Sequence, residues 1–140
     1  MGSDGMKRLA RDIMTTDVVA ASPDMRLTDA VKLMLHRRIS GLPVVDEDGA
    51  LLGIITEHDL VNYLVSGNAP RTTVAEVMVR EVETYSPDIP VVEIVNDFAA
   101  RRIRRVPVIV EGKVVGIISR RDIIREMDRV YGGLTGGGPL

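Results

Sequence analysis

Apolar residues along the chain follow two rhythms, one near helical period and one of unbroken β-branched runs, and the whole series occurs twice. Leu27, Ala30, Val31 and Met34, then Val91, Ile94, Val95 and Phe98, are spaced for one face of a helix. This spacing predicts helices from about Leu27 to Arg38 and from about Val91 to Arg102. Asp29 and Glu93 in the first turn, and the arginines in the last, complement the helix dipole. Leu42 to Val45 and Leu51 to Ile55 are β-branched runs joined through Asp48-Gly49, and the second copy turns through Glu111-Gly112, which predicts a β-hairpin in each half. Short extended pieces are expected at Val18 to Ala20 and Val82 to Thr84, each ahead of a Ser-Pro-Asp turn in which the proline restricts its neighbour. A closing helix is predicted from about Glu57 to Leu64 and from about Arg120 to Val130. The order in each copy is strand, helix, strand, strand, helix.

The two copies align at an offset of 64 residues through Ser22-Pro23-Asp24 and Ser86-Pro87-Asp88, Arg37-Arg38-Ile39 and Arg101-Arg102-Ile103, and Pro43-Val44 and Pro107-Val108. The offset falls to 63 within the hairpin turn, then holds through Gly53-Ile54-Ile55-Thr56 and Gly116-Ile117-Ile118-Ser119 to Asp59 and Asp122. A length change confined to a polar turn, with apolar runs in register on both sides, marks a structural repeat. Each copy alone, at roughly 55–60 residues, is marginal as a folding unit. The expected fold is therefore α/β (α+β in some schemes), two β-α-β-β-α repeats packed about a pseudo-two-fold axis. The predicted boundaries are a flexible N-terminus over 1–8, repeat one over 9–66, a linker over 67–72, repeat two over 73–130 and a flexible glycine-rich tail over 131–140. Met1-Gly2-Ser3-Asp4-Gly5 reads as residues appended ahead of Met6 rather than as fold.

A net charge of −2 argues against a general nucleic-acid binder. Basic residues nevertheless gather at His36-Arg37-Arg38, Arg101 to Arg105 and Arg120-Arg121, a distribution that suits one small anion. The chain has no cysteine, which excludes disulfides, thiolate metal sites and cysteine nucleophiles. No apolar run approaches the ~20 residues of a membrane helix and no signal peptide is visible, so a cytoplasmic location without membrane contact is expected. Asp46, Asp48 and Glu57 have the first, third and twelfth positions of a calcium loop, but Ala50 and Leu51 stand where a ligand and a glycine are required, so an Asp-rich turn is expected there. His36 and His58 lack partners for a zinc site. No nucleophile, metal or paired-carboxylate arrangement suggests an enzyme, and the few aromatics offer no stacking platform.

Thr56-x-x-Asp59 and Ser119-x-x-Asp122 stand where a strand passes into a helix. One reading is a helix cap with an acidic first turn. A cap is expected to need only the hydroxyl, whereas both copies keep the carboxylate as well. The other reading is polyol recognition, with the carboxylate accepting both hydroxyls of a ribose and the hydroxyl and free amides holding a phosphate. Arg37, Arg38, Arg101 and Arg102 are explained as solvated helix ends. Arg104 and Arg105 follow the helix instead, where repeat one has Ser40 and Gly41, and so give one half two additional guanidinium groups suited to phosphate.

Gly41-Leu42-Pro43-Val44-Val45-Asp46, Gly53-Ile54-Ile55-Thr56-x-x-Asp59-Leu60 and their second copies closely resemble a tandem pair of cystathionine β-synthase (CBS) domains, over about residues 9 to 128. No effector domain accompanies the pair, so the resemblance is to a stand-alone CBS-pair protein. It implies a two-lobed disc, often homodimeric, that binds AMP, ADP, ATP or S-adenosylmethionine in clefts between the repeats. Carried onto this chain, one cleft joins Thr56 and Asp59 to Val82, Thr84, Ile103, Arg104 and Arg105. The other joins Ser119 and Asp122 to Val18, Ala20, Ile39 and Ser40, with Arg120 and Arg121 near it. In this scheme Asp59 and Asp122 take ribose hydroxyls, backbone near Thr84 and Ala20 reads the adenine edge, and Ile103 and Ile39 lie against its face. The Thr56/Asp59 cleft is the one expected to hold phosphorylated ligands more tightly, since Arg104 and Arg105 match a basic pair in the AMP-sensing γ subunit of a protein kinase. The implied function is a regulatory, non-catalytic sensor of an adenosine ligand with an effector protein as partner. The alternative is a structural dimerisation or docking module that binds no nucleotide.

Overall fold

The computed structural model describes residues 8–65, 67 and 69–132. The expected flexible N-terminus, apart from Arg8, and the tail from 133 onward lie outside the described residues, as do Ser66 and Asn68. In chain order the elements are α1 (Ala10–Ile13), α2 (Leu27–Arg37), β1 (Gly41–Val45), β2 (Leu51–Thr56), α3 (Glu57–Leu64), a 3-10 turn (Ala69–Arg71), α4 (Val74–Val77), α5 (Val91–Arg101), β3 (Arg105–Val110), β4 (Lys113–Ser119), α6 (Arg120–Met127) and a π-helical turn (Asp128–Gly132). Mixed helix and strand with two two-stranded sheets, β1-β2 and β3-β4, is the architecture expected from the sequence pattern.

The chain forms two compact units. One comprises Val19–Val82 with Glu111–Val114. The other comprises Glu83–Val110 with the described residues up to Val18 and from Val115 onward. In the first unit, Leu27, Ala30 and Met34 of α2, Leu42 and Val44 of β1, Ile55 of β2 and Leu60 of α3 close a core with Val74 and Met78. In the second, Ala10 and Ile13 join Tyr85, Val91, Ile94, Val106, Val108, Ile118 and Ile123. The helical stripes and β-branched runs read from the sequence are thus the buried faces, as area removed from water requires.

Register follows from the turns. Gly41 pairs with Thr56, Leu42 with Ile55 and Val44 with Gly53, with a bulge between Val44 and Val45. Asp46 Oδ1 accepts from the amides of Asp48 and Ala50, both at 2.9 Å, so this carboxylate closes the turn. In the second hairpin Glu111 and Gly112 both have positive φ (52° and 81°), the left-handed pair that a two-residue turn needs. Gly53 is required for close approach, because a Cβ there would lie 2.6 Å from the Val79 carbonyl. At Gly116 the obstacle is Met14 Sδ, at 2.5 Å.

Two expectations are corrected, and two elements are added. The pieces at Val18–Ala20 and Val82–Thr84 are not strands; pairing is limited to single parallel bridges just beyond them, Ala21 with Val44 and Tyr85 with Val108. The Ser-Pro-Asp turn follows at once and leaves no length for a ladder. The last helix stops at Met127, and Asp128–Gly132 winds as a π-helical turn. Two four-residue helices, α1 and α4, were not visible in the apolar pattern. Each docks on a Ser-Pro-Asp turn far away in sequence. Ala10 N donates to Ile89 O (2.8 Å) and Arg11 N to Pro87 O (3.0 Å), while Val74 N donates to Met25 O (2.7 Å) and Ala75 N to Pro23 O (3.0 Å).

Candidate ligand-binding site

Thr56 ends β2 in extended conformation and caps α3. Its amide and its hydroxyl donate to Asp59 Oδ2, at 2.9 and 3.0 Å, and its Oγ1 receives the Asp59 amide at 3.4 Å. The carboxylate is therefore half of the cap, contrary to the expectation that capping needs only the hydroxyl. A reciprocal pair of the same kind occurs at Thr73–Glu76, an exposed helix start outside the candidate site. Motif and geometry alone do not separate cap from ligand site. What separates them is the remaining oxygen. Asp59 Oδ1 takes no hydrogen bond among the described residues, and the side chain is only half-buried.

The flanking residues of this unit are set by the sheet. Arg38 closes α2 in the left-handed region (φ 57°), which turns the chain through Ile39 and Ser40 into β1. Ser40 O accepts from Glu57 N at 2.9 Å, which holds this turn beside the start of α3. Ile39 and Ser40 line an open apolar groove with Met34, Leu35, Val61 and Leu64. Ala20 borders a different groove, rimmed by Asp24 and by Asp46 to Asp48. Val82, half-buried, belongs to the same unit as Thr56 and Asp59.

The other unit holds Ser119 and Asp122 together with Val18, Thr84, Ile103, Arg104, Arg105, Arg120 and Arg121. Ser119 donates through its amide and hydroxyl to Asp122 Oδ2, at 2.8 and 3.1 Å. Here the second oxygen is also engaged. Asp122 Oδ1 accepts from Thr15 Oγ1 and from Arg125, both at 2.8 Å, and the residue is 2 % exposed. Thr15 and Arg125 were not singled out from the sequence. The repeat offsets carry a signal for both, since 64 places Val79 opposite Thr15 and 63 places Asn62 opposite Arg125.

The arginines fall into separate settings. Arg104 is exposed, and its carbonyl accepts from Arg120 N at 3.2 Å, while Ile103 O accepts from Arg120 Nε at 3.3 Å. The turn into β3 thus lies beside the start of α6, as Ser40 lies beside α3. Arg105 is half-buried as the first residue of β3, and Val18 and Thr84 are half-buried in unpaired backbone. Arg120 and Arg121 line a concavity with Ile124, Arg125 and Asp128. Arg101 is not a free helix-end charge, because its guanidinium is paired with Glu83.

The most strongly perturbed carboxyl lies outside the candidate site. Hydrogen bonds from Arg129 and Arg8 hold Glu126 down at about 2, against the opposing effect of its burial. Tyr85, buried with its hydroxyl donating to Asp97 at 2.9 Å, is pushed up, first by burial and then by that carboxylate. Among the described residues no group of His, Cys, Asp and Glu could hold a metal ion. None of the described helices is long and apolar enough to cross a membrane.

Comparison with known proteins adds identity to this geometry. Hypoxic response protein 1 of Mycobacterium tuberculosis is 34% identical over 120 residues, covering 84% of each chain. L-aspartate semialdehyde sulfurtransferase of Methanocaldococcus jannaschii is 33% identical over 126 residues, which span 89% of this chain but only 23% of that protein. The solved CBS domain pair of protein MJ0100, in complex with 5′-methylthioadenosine and S-adenosyl-L-methionine, superposes with a TM-score of 0.74 at 33% identity, covering 89% of this chain and 96% of that one. The CBS domain model matches residues 10–66 and again 74–129, so the chain belongs to the CBS domain family and carries two copies in tandem.

Proposed function

We propose that the chain is a regulatory, non-catalytic module that binds an adenosine-containing ligand, with the Thr56–Asp59 corner taking the ribose. The observation that carries this reading is the division of labour at Asp59. One carboxylate oxygen holds the helix cap, and the other is left to accept from a ligand hydroxyl. The chemistry is that of the adenosine compounds in the solved relative. Val82, of the same unit, is assigned to the wall beside the ligand. Ser119 and Asp122 form the second corner, and Val18 of the same unit is assigned to it. A homodimer in the cytoplasm that passes ligand occupancy to an effector protein completes the proposal. A ligand shifts such a module only by its differential affinity for two states.

A specific observation favours a second reading, a structural or docking module. Both Asp residues are parts of helix caps, and Thr73–Glu76 makes the same geometry at a helix start outside the candidate site. Calorimetric titration of the protein with AMP, ATP and S-adenosylmethionine separates the two. The sensor reading expects saturable binding of at least one of them, abolished by Asp59→Ala in a folded variant. Absence of binding for all three at millimolar concentration leaves the docking module as the better account.

A further inference from the structure

The two duplicated carboxylates are not equivalent, and the difference lies in residues around them. Asp122 has four donors on its two oxygens: the Ser119 amide and hydroxyl on Oδ2, Thr15 and Arg125 on Oδ1. Thr15 is not free to swing away. Its amide donates to Ile117 O and its carbonyl accepts from Ile117 N, both at 2.9 Å, so its backbone is pinned to β4. Arg125 is different, with a side chain 64 % exposed, and can be displaced into water at little cost. The other unit keeps the backbone pairing and loses the hydroxyl. Val79 exchanges the same two hydrogen bonds with Ile54, both at 2.9 Å, but its side chain has no hydroxyl to donate. Asn62, in the place of Arg125, lies 3.3 Å from the His58 ring through its amide nitrogen.

We infer that Thr15 is a specificity-determining residue that keeps the Asp122 corner closed to a ribose diol, so that each chain takes one adenosine ligand, at Asp59. This rests on the proposed function and goes beyond it, because it assigns the asymmetry to an internal hydroxyl rather than to Arg104 and Arg105. A diol needs acceptor oxygens, and those of Asp122 are already filled by donors of its own unit. Binding there must break the Thr15 bond to the buried Asp122 and leave that part-buried hydroxyl without its partner.

The test exchanges the two positions in the full chain. Calorimetric titration with S-adenosylmethionine, AMP and ATP is expected to give one ligand per wild-type chain and two per Thr15→Val chain. Thr15→Ser, which keeps the hydroxyl, is expected to stay at one. Val79→Thr should weaken the single site by about tenfold, the effect of one competing hydrogen bond. Two equal sites in the wild type, or one site in a folded Thr15→Val variant, overturn the inference. Should no chain bind any of the three, the proposed function fails, and a ligand-free measurement still decides the closure. NMR of the wild type is expected to reveal a slowly exchanging Thr15 hydroxyl proton that disappears in Asp122→Asn, and rapid exchange of that proton in the wild type refutes it.

Discussion

Replacing Glu126 with glutamine probes a buried carboxylate clamped between two arginines. The carboxylate side chain is 8 % exposed, and each of its oxygens receives one donor from Arg8 and one from Arg129, at 2.9 to 3.0 Å. Two forks on one carboxylate satisfy all its acceptor directions, and this is why its ionised form is favoured so strongly. A fall from the ordinary 4.5 to about 2 sets a ceiling of about 3 kcal/mol on what the charged form contributes to folding. Arg8 is about a quarter exposed and Arg129 nearly half, so water screens part of that attraction and about 1–2 kcal/mol is expected at neutral pH. Because the folded-state value is depressed, the contribution is fully present above pH 4.5 and is lost as pH falls through 2. Urea unfolding of the wild type and of Glu126→Gln at pH 7, 4 and 2.5 reads the difference directly. The gap between the two proteins should be widest at pH 7 and should narrow steadily towards pH 2.5. A gap that is absent at pH 7, or that stays constant across the series, refutes the assignment of this cluster as a charge-dependent clamp between the residue ahead of α1 and the end of α6.

Gly53→Ala is expected to destabilise by about 1–3 kcal/mol, because the new methyl meets the fixed Val79 carbonyl. Gly116→Ala should cost less, since the flexible Met14 side chain can move, and paired thermal melts rank the two. Leu27→Ala removes a fully buried side chain that packs the start of α2 and should cost about 2–5 kcal/mol by urea unfolding. Asp59→Ala is expected to cost about 0.5–2 kcal/mol as a lost cap. Asp122→Ala should cost more in the same assay, because it also strands the Thr15 hydroxyl and releases Arg125. Equal losses for the two would mean that the extra donors on Asp122 add nothing to stability.

The hairpins and the long helices were legible because each is specified by a run of several residues and is stated twice. Val91, Ile94, Val95 and Phe98 make the helical stripe visible without tertiary knowledge, and Val91 and Ile94 are buried as it requires. Glu111-Gly112 likewise names its turn locally. The helices α1 and α4 were not legible, because four residues are too few to show a period and their hydrogen-bond partners lie in a distant Ser-Pro-Asp turn. Those pairings also mean that the repeat in sequence and the compact unit in space have different memberships. Residues 10–13 precede the first repeat's turn but dock on the second, and residues 74–77 do the reverse.

The candidate site was legible to the level of residue type and no further. Hydroxyl, two-residue gap and carboxylate occur at Thr56–Asp59, at Thr73–Glu76 and at Ser119–Asp122, and all three are caps. A repeat that keeps such a motif therefore keeps a helix start, whatever else the motif does. In the proposed reading, ligand chemistry depends on the oxygen that the cap does not use, which Thr15 fills at Asp122 and no described residue fills at Asp59, a difference the motif does not contain. Thr15 and Val79 differ by one polar atom in nearly the same volume, and both sit on a backbone pinned by two hydrogen bonds. Duplication followed by that exchange leaves two helix starts of similar architecture with opposite demand for a donor. The carboxylate with an open oxygen gains from an external hydroxyl, and the one already filled can only lose.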